Sequence, residues 1–346
     1  MVSFAGLGWW GMKSNIIYQG DALKVLKTLP PESVNCCITS PPYWGLRDYG
    51  IPGQLGMEET PEKYIINITK TLEEVRRILR KDATLWLNMG DCHNANGRKG
   101  HGSRIGYLQT SNRASFAGAD QNRPYAPRLK PTDLVGIPWM LAFALRDAGW
   151  YLRSDIIWAK PNPMPESVRN RPTRAHEYLF MLSKNKKYFY DANAIKEPCI
   201  GGSVQNRSKI PSGWDTGPGS HNKLLGGYQA DKQRGHSRRH AGFNDRWDQM
   251  TRKGQTSGFR NRRSVWTIAP KPFKGAHFAT FPPALIEPGI LAGCPQGGIV
   301  LDPFMGAGTT ALVATQHGRR YIGCELNPAY IEIANRRLDK AILDSL

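Results

Sequence analysis

Two adjacent prolines, Pro41 and Pro42, close off an apolar run at residues 34–38. That run reads as a buried strand bounded by turn residues. Proline has no amide donor and a fixed φ, so the ladder must stop there and the bend that follows is stiff. The loop Thr39-Ser40-Pro41-Pro42-Tyr43-Trp44 therefore presents a hydroxyl, backbone carbonyls and an aromatic ring at the carboxyl end of a strand. Open α/β sheets bind ligands at that end. A ring to stack on, beside acceptors for an amino group, suits a flat base bearing an exocyclic NH2. An isolated Pro-Pro-Tyr reads first as an ordinary turn that caps a strand. The other end of the chain decides between the two.

That end reads Gly298-Ile299-Val300-Leu301-Asp302-Pro303-Phe304-Met305-Gly306-Ala307-Gly308-Thr309-Thr310 and runs on into an apolar helix start. A strand enters a glycine-bearing turn and leaves as a helix. Gly306 and Gly308 let the backbone approach a ligand closely, and the helix N-terminus offers N–H groups to a carboxylate. No Gly-Lys-Ser/Thr follows, so this is not a phosphate-binding loop, nor is it a GxGxxG fingerprint. Residues 320–325 then form a second strand ending in Glu325, placed to accept hydrogen bonds from ribose hydroxyls.

Ser-Pro-Pro-Tyr near the start and Asp-Pro-Phe-x-Gly-x-Gly-Thr-Thr near the end resemble the amino-methyltransferases of DNA. The order matches their permuted (β) class, in which the catalytic half precedes the S-adenosylmethionine-binding half. The resemblance spans residues 15–342. It implies an α/β fold: a Rossmann-like methyltransferase sheet with helices on both faces, a circularly permuted motif order and an inserted basic target-recognition region. It divides the chain into an extension (1–14), a catalytic half (15–193) with a basic insertion (94–130), a target-recognition region (194–264) and a cofactor half (265–346). Ser40, Pro41, Pro42 and Tyr43 become the catalytic loop. Asp21, Phe281, Asp302, Pro303, Phe304, Gly306, Gly308, Thr309 and Glu325 become the S-adenosylmethionine site. Asp21 is placed against the adenine amino group, although it also fits as the N-cap of the next helix. The segment ending at Phe281 packs on the methionine end of the cofactor.

The 346 residues carry a formal charge of +19, which points to a polyanionic partner, and double-stranded DNA leads. A membrane surface is the competing polyanion. No basic amphipathic helix or lipidation signal stands out, and no run of about 18 apolar residues could span a bilayer. Residues 1–11 lack a basic n-region and a cleavage site, and Met12 could serve as an alternative start. A cytoplasmic protein of a prokaryotic or phage-infected cell is expected, and a homodimer is compatible with the sequence. The six cysteines show no CxxC spacing, so neither a zinc site nor a disulfide framework is expected. Cys36, Cys37 and Cys324 read as small core residues. Pro198-Cys199 lacks the surroundings of the cytosine-C5 enzymes' nucleophile and reads as structural.

Between the motifs, residues 15–19 read as a strand and 22–29 as a helix. Residues 45–56, with Arg47 and Asp48, form a loop able to close over substrate. Thr60-Pro61 opens a helix with Ile65, Ile68, Leu72, Val75 and Leu79 on its apolar face. Residues 83–88 form a buried strand. Residues 94–130, rich in Gly, Asn and Arg, read as a flexible DNA-proximal loop. A helix at 138–148 and a strand at 150–158 follow, then a basic, proline-punctuated stretch to His176, which is given no chemistry. Residues 177–183 and 188–190 read as a hairpin around 184–186. Residues 194–264 are basic, polar and dotted with aromatics, as suits phosphate contacts and major-groove readout. Helices at 283–291 and from Pro328 complete the chain, the last with Ile331, Ala334, Leu338 and Ile342 facing the sheet.

The expected mechanism follows from the amino nitrogen of cytosine N4 or adenine N6, whose lone pair is delocalised into the ring. Acceptors for both amino protons localise that pair; Ser40 Oγ and the Pro41 carbonyl are the candidates, with Tyr43 stacking on the base. Catalysis is orientation and electrostatics, with no metal and no covalent intermediate. The base must be flipped out of the duplex. Ser at the head of the motif favours cytosine N4 over adenine N6 by family analogy. The readings from other classes are a non-catalytic DNA-binding regulator and a methyltransferase acting on RNA or protein glutamine.

Overall fold

The computed structural model describes residues 12–94, 126–198, 259–270 and 281–344. In chain order the elements are β1 (Ile16–Gln19), α1 (Ala22–Thr28), β2 (Val34–Thr39), α2 (Pro61–Ile78), β3 (Leu79–Met89), α3 (Ile137–Asp147), β4 (Tyr151–Ala159) and β5 (His176–Ser183). There follow β6 (Glu197–Pro198), β7 (Phe259–Arg260), β8 (Val265–Thr267), α4 (Pro283–Gly293), β9 (Ile299–Asp302), α5 (Thr309–Gln316), β10 (Arg320–Glu325) and α6 (Pro328–Leu343). The chain divides into two compact units, Lys196–Arg262 and the remainder. In the smaller unit β6 pairs antiparallel with β7, tied by Arg260 Nε to Glu197 Oε1 at 2.8 Å.

The larger unit is built on one eight-stranded sheet in the order β1-β10-β9-β2-β3-β5-β4-β8. Every neighbouring pair is parallel except at β5, which runs antiparallel to both β3 and β4. From β2 the chain builds outward through β3 on one side, and its last strands, β9 and β10, fill the other. The carboxyl ends of β2 and β9 therefore flank a switch point, where the covering helices diverge and leave a crevice.

Period-two alternation sorts the strand residues between two cores. Cys37 of β2, Leu85 and Leu87 of β3, Leu301 of β9 and Ile322 of β10 pack with α1, α2 and α3 on one face. Cys36, Ile38, Trp86, Val300 and Tyr321 face the opposite way, against α4 and α5. A strand buried on both faces reads as a continuous apolar run, which is how β2 reads in the sequence. The helix starts follow their capping chemistry: Asp21 Oδ1 accepts Lys24 N at 2.9 Å, and Thr60 Oγ1 accepts Lys63 N at 3.3 Å ahead of Pro61. No described helix is long and apolar enough to cross a membrane.

Three expectations are corrected. Residues 177–183 do not form a hairpin with 188–190, because both edges of β5 are already paired, with β3 and β4. Leu79 ends the apolar face of α2 but belongs to β3, which begins without a connecting loop. Asn94, assigned to a polar insertion, is 3% exposed; its side chain bonds Ala126, Leu129 and Lys130 backbone atoms and closes the base of that insertion. Residues 95–125 and most of 194–264, including Cys199, lie outside the described residues, as do residues 1–11, residues 277–280 and the side chain of Ile342.

Candidate active site

The loop after β2 is pinned on several sides. The Pro42 carbonyl accepts the Tyr64 hydroxyl of α2 at 2.8 Å, and the buried Trp44 indole donates to Glu58 O at 2.8 Å. Tyr43 is half-buried. Its hydroxyl donates to Glu177 Oε2 at 2.8 Å, with Asn88 Oδ1 a second acceptor at 3.2 Å, and receives a bond from Ser40 Oγ at 3.4 Å. The ring rests on Gly90, where an added Cβ would lie 2.6 Å from Tyr43 Cε2. Burial, and then the Glu177 charge, push the phenol pKa well above its usual value, so Tyr43 keeps its proton at neutral pH.

Sequence reasoning missed the partners of that hydroxyl. Glu177 is the second residue of β5, and its Oε1 pairs with Lys160, which follows β4. The Lys160 ammonium also sits over the Trp158 ring, 4.3 Å from its centroid. Asn88, near the end of β3, donates to Glu177 Oε2 at 3.3 Å and to Tyr178 O at 3.1 Å. A signal existed, since Asn88 and Glu177 are polar residues at the ends of apolar strands. Nothing local in the sequence brings the two together; the order β2-β3-β5-β4 does.

The glycine-bearing turn after β9 is held by two carboxylates. Asp302, 1% exposed, accepts Thr39 Oγ1 at 2.7 Å, Thr310 Oγ1 at 2.6 Å and Phe304 N at 3.0 Å. Burial lifts its pKa to about 6 against the pull of those donors, with Glu325's charge adding a smaller push upward. Glu325 Oε2 accepts Gly306 N at 2.7 Å and Oε1 accepts Asn327 N at 2.8 Å; burial raises its pKa too. The turn's amides are thus largely engaged inside the protein: Met305 N bonds Cys324 O and Gly308 N bonds Met305 O. Gly308 has φ +77° at the cap of α5, and a Cβ there would meet Ala334 of α6 at 2.7 Å.

Between the two turns lies a cleft of about 910 Å³, its open mouth included. Ser40 and Pro42 line it together with Asp21, Phe281, Pro303, Phe304, Gly306, Thr309 and Glu325. Pro41, Tyr43, Asp302 and Gly308 do not. Asp302 is instead a brace behind the wall, joining the end of β2 to the turn after β9. Residues 49–55 of the loop expected to close on substrate form a wall, fixed by Gly45 N to Gly56 O at 2.7 Å and by an edge-to-face contact of Tyr49 with Tyr330. Arg47 and Asp48 are not part of that wall. Asp21 caps α1 and also lines the cleft. Cys36, Cys37 and Cys324 are free, buried thiols, and among the described residues no cluster of His, Cys, Asp or Glu could hold a metal.

The N6/N4 DNA methylase family model matches residues 34–336. This chain belongs to that family. It is a DNA methyltransferase of the amino-methylating class, and S-adenosylmethionine is the methyl donor of the family. The methylase is 44% identical over 328 residues to the Type II methyltransferase M.XycI of Xanthomonas campestris pv. cyanopsidis, covering 94% of this chain and 88% of that one. It is 41% identical to M.SmaI of Serratia marcescens, covering 94% and 91%. In fold it is similar to the PvuII DNA methyltransferase (cytosine-N4-specific), with TM-score 0.56, 17% identity and coverage of 94% and 89%. It is similar also to a DNA modification methylase of Thermus thermophilus, TTHA0409, complexed with S-adenosyl-L-methionine, with TM-score 0.52, 23% identity and coverage of 94% and 95%.

Proposed function

We propose that this methylase modifies N4 of cytosine at specific sites in duplex DNA, using the cleft between the β2 and β9 turns. The observation that carries the reading is that Ser40 shares one cavity with Asp21, Gly306 and Glu325. A nucleophile-orienting hydroxyl and a nucleoside-sized groove thus meet at the switch point. The groove suits its ligand chemically: Asp21 can accept from an adenine amino group, Glu325 from ribose hydroxyls, and Phe281, Pro303 and Phe304 supply apolar walls. S-adenosylmethionine supplies a methyl group on a positively charged sulfur, whose departure leaves the bonding pair on sulfur.

The rest is the work of the chain. Ser40 Oγ and the Pro41 carbonyl accept the amino protons of the flipped base and turn its lone pair toward the methyl carbon. Tyr43 stacks on the base. Residues 194–264 are the target-recognition region, inserted between the catalytic half (15–193) and the cofactor half (265–346). Cytosine is preferred over adenine because Ser40 heads the motif, an argument from family analogy. The same reading places the enzyme in the cytoplasm and admits a homodimer, which light scattering reads directly.

The test is methylation of unmodified plasmid DNA with methyl-labelled S-adenosylmethionine, followed by nucleoside digestion and mass analysis. N4-methylcytosine is expected. N6-methyladenine would keep the mechanism and overturn the base. Folded, cofactor-binding protein that yields neither product would turn the search to RNA or a restricted DNA context, and protein that binds no cofactor either would favour a non-catalytic DNA-binding role.

A further inference from the structure

Most of the polar groups at the carboxyl end of the sheet already have a task in this reading. Glu177, behind the catalytic loop, does not. Hydrogen bonds lead to it: Ser40 Oγ donates to Tyr43 Oη at 3.4 Å, and Tyr43 Oη donates to Glu177 Oε2 at 2.8 Å, closer than its other acceptor, Asn88 Oδ1 at 3.2 Å. Lys160 occupies the other carboxylate oxygen and fixes the group's orientation. With its own proton directed at Tyr43, Ser40 Oγ keeps lone pairs free to accept from a group in the cleft that Ser40 lines. The chain of donors ends on a carboxylate whose side chain keeps 17% exposure, so a proton delivered there can pass on to water.

We propose that Ser40, Tyr43 and Glu177 form a proton relay that takes the amino proton as the methyl group is transferred. The inference rests on the reading that this cleft methylates an exocyclic amino group. The amino nitrogen gains a bond to the methyl carbon and loses one N–H bond, whose electron pair stays on nitrogen. That proton moves to Ser40 Oγ, the Ser40 hydroxyl proton to Tyr43 Oη, and the Tyr43 proton to Glu177 Oε2. Serine and tyrosine end as neutral as they began, and Glu177 ends as a carboxylic acid. No tyrosinate is formed at any stage, which matters because burial and the neighbouring carboxylate oppose one. The 3.4 Å link is the loosest, and contacts of this kind shorten when substrate packs against them. Ser40 is the catalytic residue in this scheme; Tyr43 and Glu177 act through it.

Glu177→Gln tests the relay, because the amide oxygen still accepts the Tyr43 bond but cannot take its proton. Single-turnover methyl transfer to duplex DNA is read in water and in heavy water, beside S-adenosylmethionine binding by calorimetry. Wild-type activity is the reference, and its absence on any DNA would count against the functional reading rather than against the relay. The expected result is a rate about 100-fold lower, within the usual reach of general acid–base catalysis. Cofactor affinity should be unchanged, and the solvent isotope effect of the wild type should be lost. A rate within about twofold of wild type overturns the proposal. So does a slow variant that keeps the wild-type isotope effect, since Glu177 would then be only a structural support. If Glu177→Gln does not fold, Tyr43→Phe takes its place. It removes one oxygen from the middle of the chain and must give the same loss of rate and isotope effect. Where both variants fold, the double variant should be no slower than the slower single one, because a broken relay cannot be broken twice.

Discussion

The turns after β2 and β9 face each other across one cleft and are immobilised by opposite means. After β9, two carboxylates reach back to the turn's own backbone: Asp302 takes Phe304 N and Glu325 takes Gly306 N. After β2, the backbone is stiff because of its prolines, and side chains from β3 and β5 converge on the Tyr43 hydroxyl, the carboxylate from β5 being held in turn by Lys160 after β4. One turn is held by short-range chemistry and the other by the sheet order. The first should therefore fail through stability and cofactor binding, the second through rate.

The sharpest break is expected from Gly308→Ala. The new Cβ meets Ala334 at 2.7 Å in a left-handed backbone, and strain plus overpacking should cost about 4 kcal/mol. Denaturant unfolding would read the loss, and a change under about 1 kcal/mol would show that α5 and α6 yield easily.

Asp302→Asn comes next and acts through pH. Its folded pKa near 6 lies above the unfolded value of about 4, so folding binds the proton more tightly. The contribution to stability is fully present below about pH 4 and is lost as pH rises through about 6, a swing of about 3 kcal/mol. Unfolding curves from about pH 4 to about pH 8 should show that part of the slope in the wild type and not in the variant. Parallel pH dependences would rule it out.

Ser40→Ala should slow methyl transfer about 100-fold while leaving the melting temperature and cofactor affinity alone. Near-normal turnover with DNA and cofactor bound would remove Ser40 from the chemistry. Gly90→Ala is the mildest: the Cβ pushes the Tyr43 ring, with about tenfold lost in rate and about 1 kcal/mol in stability. Weakened cofactor affinity in that variant, with the rate at saturating cofactor preserved, would reverse the proposed division of labour between the two turns.

The same division explains what could be read from the sequence. Residues 320–325 were expected as a strand ending in a carboxylate, and β10 spans Arg320–Glu325 because a strand buried on both faces announces itself by composition. The capping signals at Asp21 and Thr60-Pro61 act within one helical turn and were legible for that reason. The network around Tyr43 was not. Glu177 lies 134 residues from Tyr43, and the two meet because β5 enters the sheet between β3 and β4 and runs against them. No local pattern marks that reversal, and it is also what defeated the hairpin expected at 184–186. Asp302 was legible as important from its motif, but its buried bond to Thr39 was not, because only the pairing of β2 with β9 brings those two residues together.

The place of β1 in the sheet bears on how the chain is made. Residues 16–19 pair with residues 322–325, and among the described residues β1 stands at the end of the sheet with β10 as its one neighbour. During synthesis the first strand therefore emerges long before its partner, and β2 waits nearly as long for β9 to cover its second edge. Contacts so distant in the chain make for slow assembly, and exposed strand edges in the interim invite pairing with other chains. A growing polypeptide of this kind stays vulnerable until β9 and β10 have left the ribosome, so its yield in a cell should depend on chaperone supply more than its final stability suggests.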